Sequence, residues 1–211
     1  MTPPPWVTPK GPFVPIFEVE EFKNAVEPAD VYSARYSRHV SELSPAEAED
    51  IVRYMSEVFS YFDSDSSLLV FGAGHSCNSN EFSKHRSIRK TVAWDFVEAS
   101  SIGLDPNIGF CNKNILNDTI EGEFDYTFSS HTLEHFTREE LLTIVIPKLL
   151  KATSKALVVV VPYGSNWEGE PTHKCRFYEN DELAKLCSKY KKIRGGVEIV
   201  YWIDAVGAKC S

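Results

Sequence analysis

The chain has no apolar run long enough to form a membrane-spanning helix. It has no Cys-x-x-Cys pair. Cys77, Cys111, Cys175, Cys187 and Cys210 are scattered and odd in number, a pattern that speaks for a reduced, cytoplasmic chain and against a disulfide framework. Nor is there a surplus of positive charge. With 22 lysines and arginines against 30 acidic residues, the formal net charge is −8. A non-specific nucleic-acid binder needs a basic face, so that class is disfavoured. No internal repeat is present, and the opening Pro3-Pro4-Pro5-Trp6 has none of the character of a secretory signal. What remains is an ordinary globular composition in 211 residues, enough for one domain with a sizeable core.

The stretch around which the rest is organised runs over residues 68–76. Leu68, Leu69, Val70 and Phe71 form an apolar run without polar alternation, the pattern of a strand buried on both faces. The run stops at Gly72-Ala73-Gly74, where glycines allow a sharp turn and bring backbone amides close to a ligand. A polar, helix-starting segment follows. Strand, glycine turn and helix together form the device with which open α/β sheets hold nucleotide-like ligands. Further strands are expected at 91–94, 108–112, 124–129 and 156–161, with a closing pair at 191–194 and 197–206 across Gly195-Gly196. Helices are expected from Ser44-Pro45 to about Phe62, from Thr137 to about Lys151, kinked or shortened by Pro147, and over 180–190. Strands alternating with helices predict an α/β fold. Its single Rossmann-like domain has a mostly parallel seven-stranded sheet, one antiparallel edge strand and helices on both faces. Residues 44–211 would form that domain. Residues 1–43 would be a proline-rich arm and substrate-side segment, with Trp6, Phe13 and Phe17 available to pin it down.

Ligands in such sheets sit beyond the carboxyl ends of the strands. The residues there are Gly72 and Gly74 after the first strand, Asp95 after the second, Asn114 after the third, and Ser130-His131-Thr132-Leu133-Glu134-His135-Phe136 after the fourth. In order and spacing these segments resemble the successive motifs of class I S-adenosylmethionine-dependent methyltransferases, in particular the small-molecule and ubiquinone-biosynthesis-type branch. The resemblance implies S-adenosyl-L-methionine as cofactor, contacted by Gly72, Ala73, Gly74, Asp95, Phe96, Asn114, Ile115, Ser130 and His131. Asp95 would grip the ribose hydroxyls and Asn114 would read the adenine. The family usually carries an acid where this chain has Val70, and a third glycine where it has Ser76.

The resulting expectation is methyl transfer to an oxygen or nitrogen of a small molecule or sugar. His131 and His173 are the candidates for taking the acceptor's proton, because a neutral imidazole is available near neutral pH. The polar loop over 163–178 and the segment around Tyr32, Tyr36 and His39 would wall the acceptor side, with Trp167 and Tyr36 as apolar surfaces. Two other readings compete. One is a degenerate member of the fold serving as a binding or scaffold protein, favoured by Val70 and Ser76. The other is a zinc hydrolase using His131, Glu134 and His135, which match H-x-x-E-H. That motif needs a helix, whereas here it directly follows a strand, so no metal ligand is assigned.

Overall fold

A computed structural model describes residues 5–24, 58–74, 76–166 and 172–205. Seven strands form one sheet: β1 (Ser66–Phe71), β2 (Ile88–Asp95), β3 (Gly109–Asn112), β4 (Phe124–Ser130), β5 (Thr153–Pro162), β6 (Lys189–Ile193) and β7 (Glu198–Asp204). Their order across the sheet is β3-β2-β1-β4-β5-β7-β6. The pairings from β3 to β5 are all parallel. Within this sheet antiparallel pairing is confined to the other edge, where β7 runs against both β5 and the outermost β6. The chain order reverses between β1 and β4, which makes the carboxyl ends of these two strands the place for a ligand.

Burial explains the apolar runs. Leu68, Leu69, Val70 and Phe71 are each no more than 4 % exposed, because β1 has strands on both sides and packed residues on both faces. Alternate side chains enter opposite cores. Leu69 and Phe71 join the cluster that includes Leu141, Val145, Leu149 and Leu183. Leu68 and Val70 join Val58, Phe59, Phe82 and Phe128. Helices supply both layers: α1 (Ser76–Ser83) after the glycine turn, α2 (Arg138–Glu140) leading into α3 (Ile146–Lys151), and α4 (Glu182–Leu186).

The capping box predicted at Thr137 is present. Its hydroxyl accepts from the Glu140 amide, and the Glu140 side chain accepts in turn from the Thr137 backbone. Pro147 sits in the first turn of α3. It lacks an N–H, and the turn just before it, Leu141–Val145, is wound as a π-helix in which the Ile146 amide reaches back to the Leu141 carbonyl. The helix expected over 180–190 is shorter. Asp181 caps it by accepting from the Ala184 amide, and it stops at Leu186. Tyr190 belongs to β6, paired with Tyr201 of β7 and bridged to Val7 of the arm.

The arm runs over this edge. Trp6 packs edge-on against Tyr61 and Trp202, with the Lys189 ammonium 4.8, 4.2 and 4.5 Å from the three ring centroids. Further along, Ile16 and Val19 are buried, whereas Phe13 and Phe17 stay exposed. Of the three aromatic anchors expected, Trp6 packs among rings and Phe17 carries the Arg176 guanidinium 5.1 Å from its ring centroid. Phe17 and Glu18 pair antiparallel with Arg176 and Cys175, and the Val19 amide donates to the Lys174 carbonyl. The arm therefore holds the segment after residue 172 in place. The helix predicted from Ser44 lies almost wholly outside the described residues, although Val58, Phe59 and Phe62 are buried as its inward face requires. Among the described residues no helix is long and apolar enough to cross a membrane.

Candidate functional site

A cavity of about 330 Å³ opens beyond the carboxyl ends of β1 to β4, at the small end of the range for ligand pockets. Phe71 and Gly72 come from the end of β1, Trp94, Asp95 and Phe96 from β2, and Lys113 to Leu116 from the segment after β3. Thr132, His135 and Phe136 follow β4, and Glu140, Thr172 and Lys174 complete the wall. Five residues of the expected cofactor set therefore converge: Gly72, Asp95, Phe96, Asn114 and Ile115. Ala73, Gly74, Ser130 and His131 do not line this cavity, and neither does His173.

The glycine turn is held from two sides. Gly72 has φ +67°, and a Cβ there would lie 2.0 Å from the Thr132 hydroxyl oxygen. The turn and the segment after β4 thus pack directly, with room only for glycine. Asp95 anchors the turn from the other side. Its Oδ2 accepts from the Gly74 amide at 2.9 Å and its Oδ1 from the Val97 amide at 3.0 Å. Burial pushes the Asp95 carboxyl up, and these backbone donors pull against it. Asp95 was expected chiefly to grip a ligand; its first task is to fix the turn. Each oxygen retains a second lone pair for a hydroxyl donor. Asn114 likewise has a local task, its Oδ1 accepting from the Leu116 amide at 3.0 Å. Its NH₂ is what it can offer a base.

Lys113, Lys174 and His135 were not expected here. Lys113 pairs with Glu121 at 2.8 Å while still reaching the cavity wall. No pattern in the sequence singled out either lysine. His135 does stand in the segment after the fourth strand, as the last residue of the H-x-x-E-H pattern.

Behind the cavity lies a buried charged cluster. His131 has φ +51°, and its Nε2 lies 3.0 Å from Glu198 Oε1, which also takes Arg194 at 2.6 Å. Its Nδ1 is 3.6 Å from Glu134 Oε1. Burial alone would lower the His131 imidazolium, but the two carboxylates outweigh it and push the group up to about 10. His131 is thus a cation at neutral pH, not the neutral imidazole that a base requires. His173, 15 % exposed at its side chain, turns inward with Nε2 3.9 Å from Glu134 Oε1, and its ring stands edge-on to His135 with centroids 5.0 Å apart. His131, Glu134 and His135 do not share a helix face. Leu133–His135 is a single 3₁₀ turn, as the lack of helical context suggested.

Val70 faces the core, away from the cavity, so an acid at that position is not missing from the cavity wall. Tyr32, Tyr36, His39, His75 and Trp167 lie outside the described residues, and the two sides of the expected acceptor wall cannot be brought together on them.

No family model matches the chain, and no curated protein does. Solved structures match well. The N-methyltransferase NodS from Bradyrhizobium japonicum WM9, in complex with S-adenosyl-L-homocysteine, aligns with a TM-score of 0.62 at 11 % identity, over 82 % of this chain and 97 % of that one. An O-methyltransferase family protein from Burkholderia thailandensis gives 0.60 at 14 %, over 82 % and 59 %. The 1,6-didemethyltoxoflavin-N1-methyltransferase of Burkholderia thailandensis, with 1,6-didemethyltoxoflavin and S-adenosylhomocysteine bound, gives 0.54 at 16 %, over 90 % and 94 %. The fold is the methyltransferase fold. At these identities the likeness speaks for architecture. In a methyltransferase fold the cavity beyond β1 to β4 lies at the sheet's switch point, where this chain places Asp95 and Asn114 on its wall.

Proposed function

We propose that the chain is an S-adenosyl-L-methionine-dependent methyltransferase of the small-molecule branch, acting on an oxygen or nitrogen of a small molecule or sugar. The observation that carries this reading is the convergence of Gly72, Asp95, Phe96, Asn114 and Ile115 on one cavity at the switch point of the sheet. The residues present fit the adenosyl part of the cofactor. Phe71, Trp94, Ile115, Leu116 and Phe136 offer apolar walls for a planar base. Asp95 offers lone pairs to a diol and Asn114 an NH₂ to a base edge. The methionine end would lie over the glycine turn, against Gly72, Ala73, Gly74 and Ser130.

When bound, the cofactor supplies a methyl group on a sulfonium. The chain's own part is to orient and to exclude water. The arm residues Ile16 to Val19 and the segment from Thr172 hold the acceptor side. Of the two candidate histidines, His131 is held as a cation between Glu134 and Glu198, so the proton-accepting role falls to His173 beside the cavity. Calorimetry with S-adenosylhomocysteine tests the reading. One saturable site, competed by adenosine, is expected. No heat with folded protein at millimolar ligand overturns it.

A further inference from the structure

Glu134 is fully buried, and neither of its carboxylate oxygens has a hydrogen-bond partner. A buried carboxylate ordinarily holds donors or a cation. Here the His131 imidazolium pairs with it at 3.6 Å without a hydrogen bond, and the imidazoles of His135 and His173 stand beside it. His131 Nδ1 and His173 Nε2 lie 3.6 and 3.9 Å from Oε1, too far for hydrogen bonds. One ligand atom each from Glu134, His135 and His173 lie within 4.8 Å of one another. Metal–donor bonds of about 2.0–2.2 Å at tetrahedral angles place neighbouring ligand atoms about 3.3–3.5 Å apart. The observed spacing is wider by up to about 1.5 Å, so the three side chains would have to close on an ion.

The surroundings are those of a held ligand set. His135 Nδ1 lies 3.1 Å from the Thr172 carbonyl. A carbonyl can only accept, so Nδ1 carries the proton and Nε2 the lone pair, the arrangement that orients metal-bound histidines. The Lys174 amide donates to the Glu134 carbonyl at 2.7 Å. These two bonds clamp the segment carrying His173 onto the 3₁₀ turn carrying Glu134 and His135. His131, held closest by Glu198 at 3.0 Å, flanks Glu134 at 3.6 Å as a charge partner and not as a member of the set.

We propose that Glu134, His135 and His173 bind one divalent transition-metal ion at the margin of the cavity. Two imidazoles and one carboxylate suit zinc, iron or cobalt rather than magnesium or calcium, and leave at least one position open. His135 lines the cavity, as do Thr172 and Lys174 on either side of His173, so an ion here adjoins whatever the cavity holds. His173 would then spend its lone pair on the metal, not on an acceptor's proton.

The test uses the full-length protein stripped of metal, titrated with Zn²⁺ by calorimetry and with Co²⁺ by visible absorption. One equivalent should bind, with the ligand-field bands of a low-coordinate nitrogen–oxygen site. His135→Ala and His173→Ala, checked for folding by circular dichroism, should each bind at least about 100-fold more weakly. His85→Ala, remote from the cluster, should bind like the parent. Absence of saturable binding to the folded parent overturns the proposal. So does unchanged affinity in both histidine variants, which would mark adventitious binding elsewhere. S-adenosylhomocysteine titrations on the same samples keep the two assignments apart, because either ligand can fail while the other binds.

Discussion

Replacing Asp95 by Ala should destabilise the protein before it affects any ligand. The carboxylate accepts from two amides, Gly74 at 2.9 Å and Val97 at 3.0 Å, and is 4 % exposed. Alanine leaves both amides buried without an acceptor. Each unsatisfied group costs about 1–3 kcal/mol, so the loss should be about 2–6 kcal/mol together. That is a large part of the 5–15 kcal/mol that an ordinary domain has in total. Asp95→Asn keeps one oxygen acceptor but turns an NH₂ towards the other amide, so about half the loss is expected. Urea unfolding of parent, Asn and Ala proteins should rank the midpoints in that order. If the cavity takes the cofactor's ribose, the folded fraction of the Asn variant should also bind S-adenosylhomocysteine more weakly. Losing a charge-assisted bond of about 1.5–3 kcal/mol predicts a reduction of about 10- to 150-fold. An unchanged urea midpoint in Asp95→Ala would refute the anchoring role. Unchanged affinity in folded Asp95→Asn would refute the ribose contact while leaving the anchor intact.

Gly72→Ala combines a left-handed φ, about 1–2 kcal/mol, with overpacking against Thr132, about 1–3 kcal/mol. Adding Thr132→Gly should restore the second part and not the first, and a double-mutant cycle showing no coupling would contradict the close packing. Val70→Asp, which supplies the acid found in the family, buries an unpaired charge in the core. It should cost at least about 3 kcal/mol in thermal or urea unfolding without tightening S-adenosylhomocysteine binding; a gain in affinity would place Val70 at the ligand. Asp181 is pushed up by burial to about 6 from 3.8. Its folded form holds a proton that the unfolded chain releases, so its contribution is complete below about pH 4 and lost as pH rises through about 6. Relative to Asp181→Asn the parent should lose about 3 kcal/mol across that window, and a flat difference between the two pH profiles would show that Asp181 does not titrate there.

Much of the fold was legible because it rests on local chemistry. The continuous apolar runs of β1 and β5 announce strands buried on both faces, and Thr137 with Glu140 announces a helix start by a reciprocal bond that needs no tertiary partner. The helix over 180–190 misled because Leu183, Leu186 and Tyr190 recur at helical spacing. The same residues also satisfy another arrangement. Lys191 and Ile193 are buried at strand spacing, and β7 needs a partner on its outer side. That long-range demand outweighs a local pattern, and Leu186 ends up half-exposed.

The site divides along the same line. Gly72, Asp95 and Asn114 stand at strand ends, and strand ends can be counted along a sequence once the strands are known. The cluster around Glu134 cannot be counted that way. H-x-x-E-H specifies a face only if its backbone is a helix. Here the turn is 3₁₀ and His131 takes a left-handed φ, so His131 reaches Glu198 on β7 with Nε2 while its Nδ1 stays 3.6 Å from Glu134. The second imidazole near Glu134 Oε1 is that of His173, whose position depends on two hydrogen bonds to the turn and on the arm residues that pair beside it. None of those contacts is local. For the proposed metal site the motif thus marks the glutamate, whose carboxylate oxygens have no hydrogen-bond donor, while its first histidine serves as a charge partner and not as a ligand.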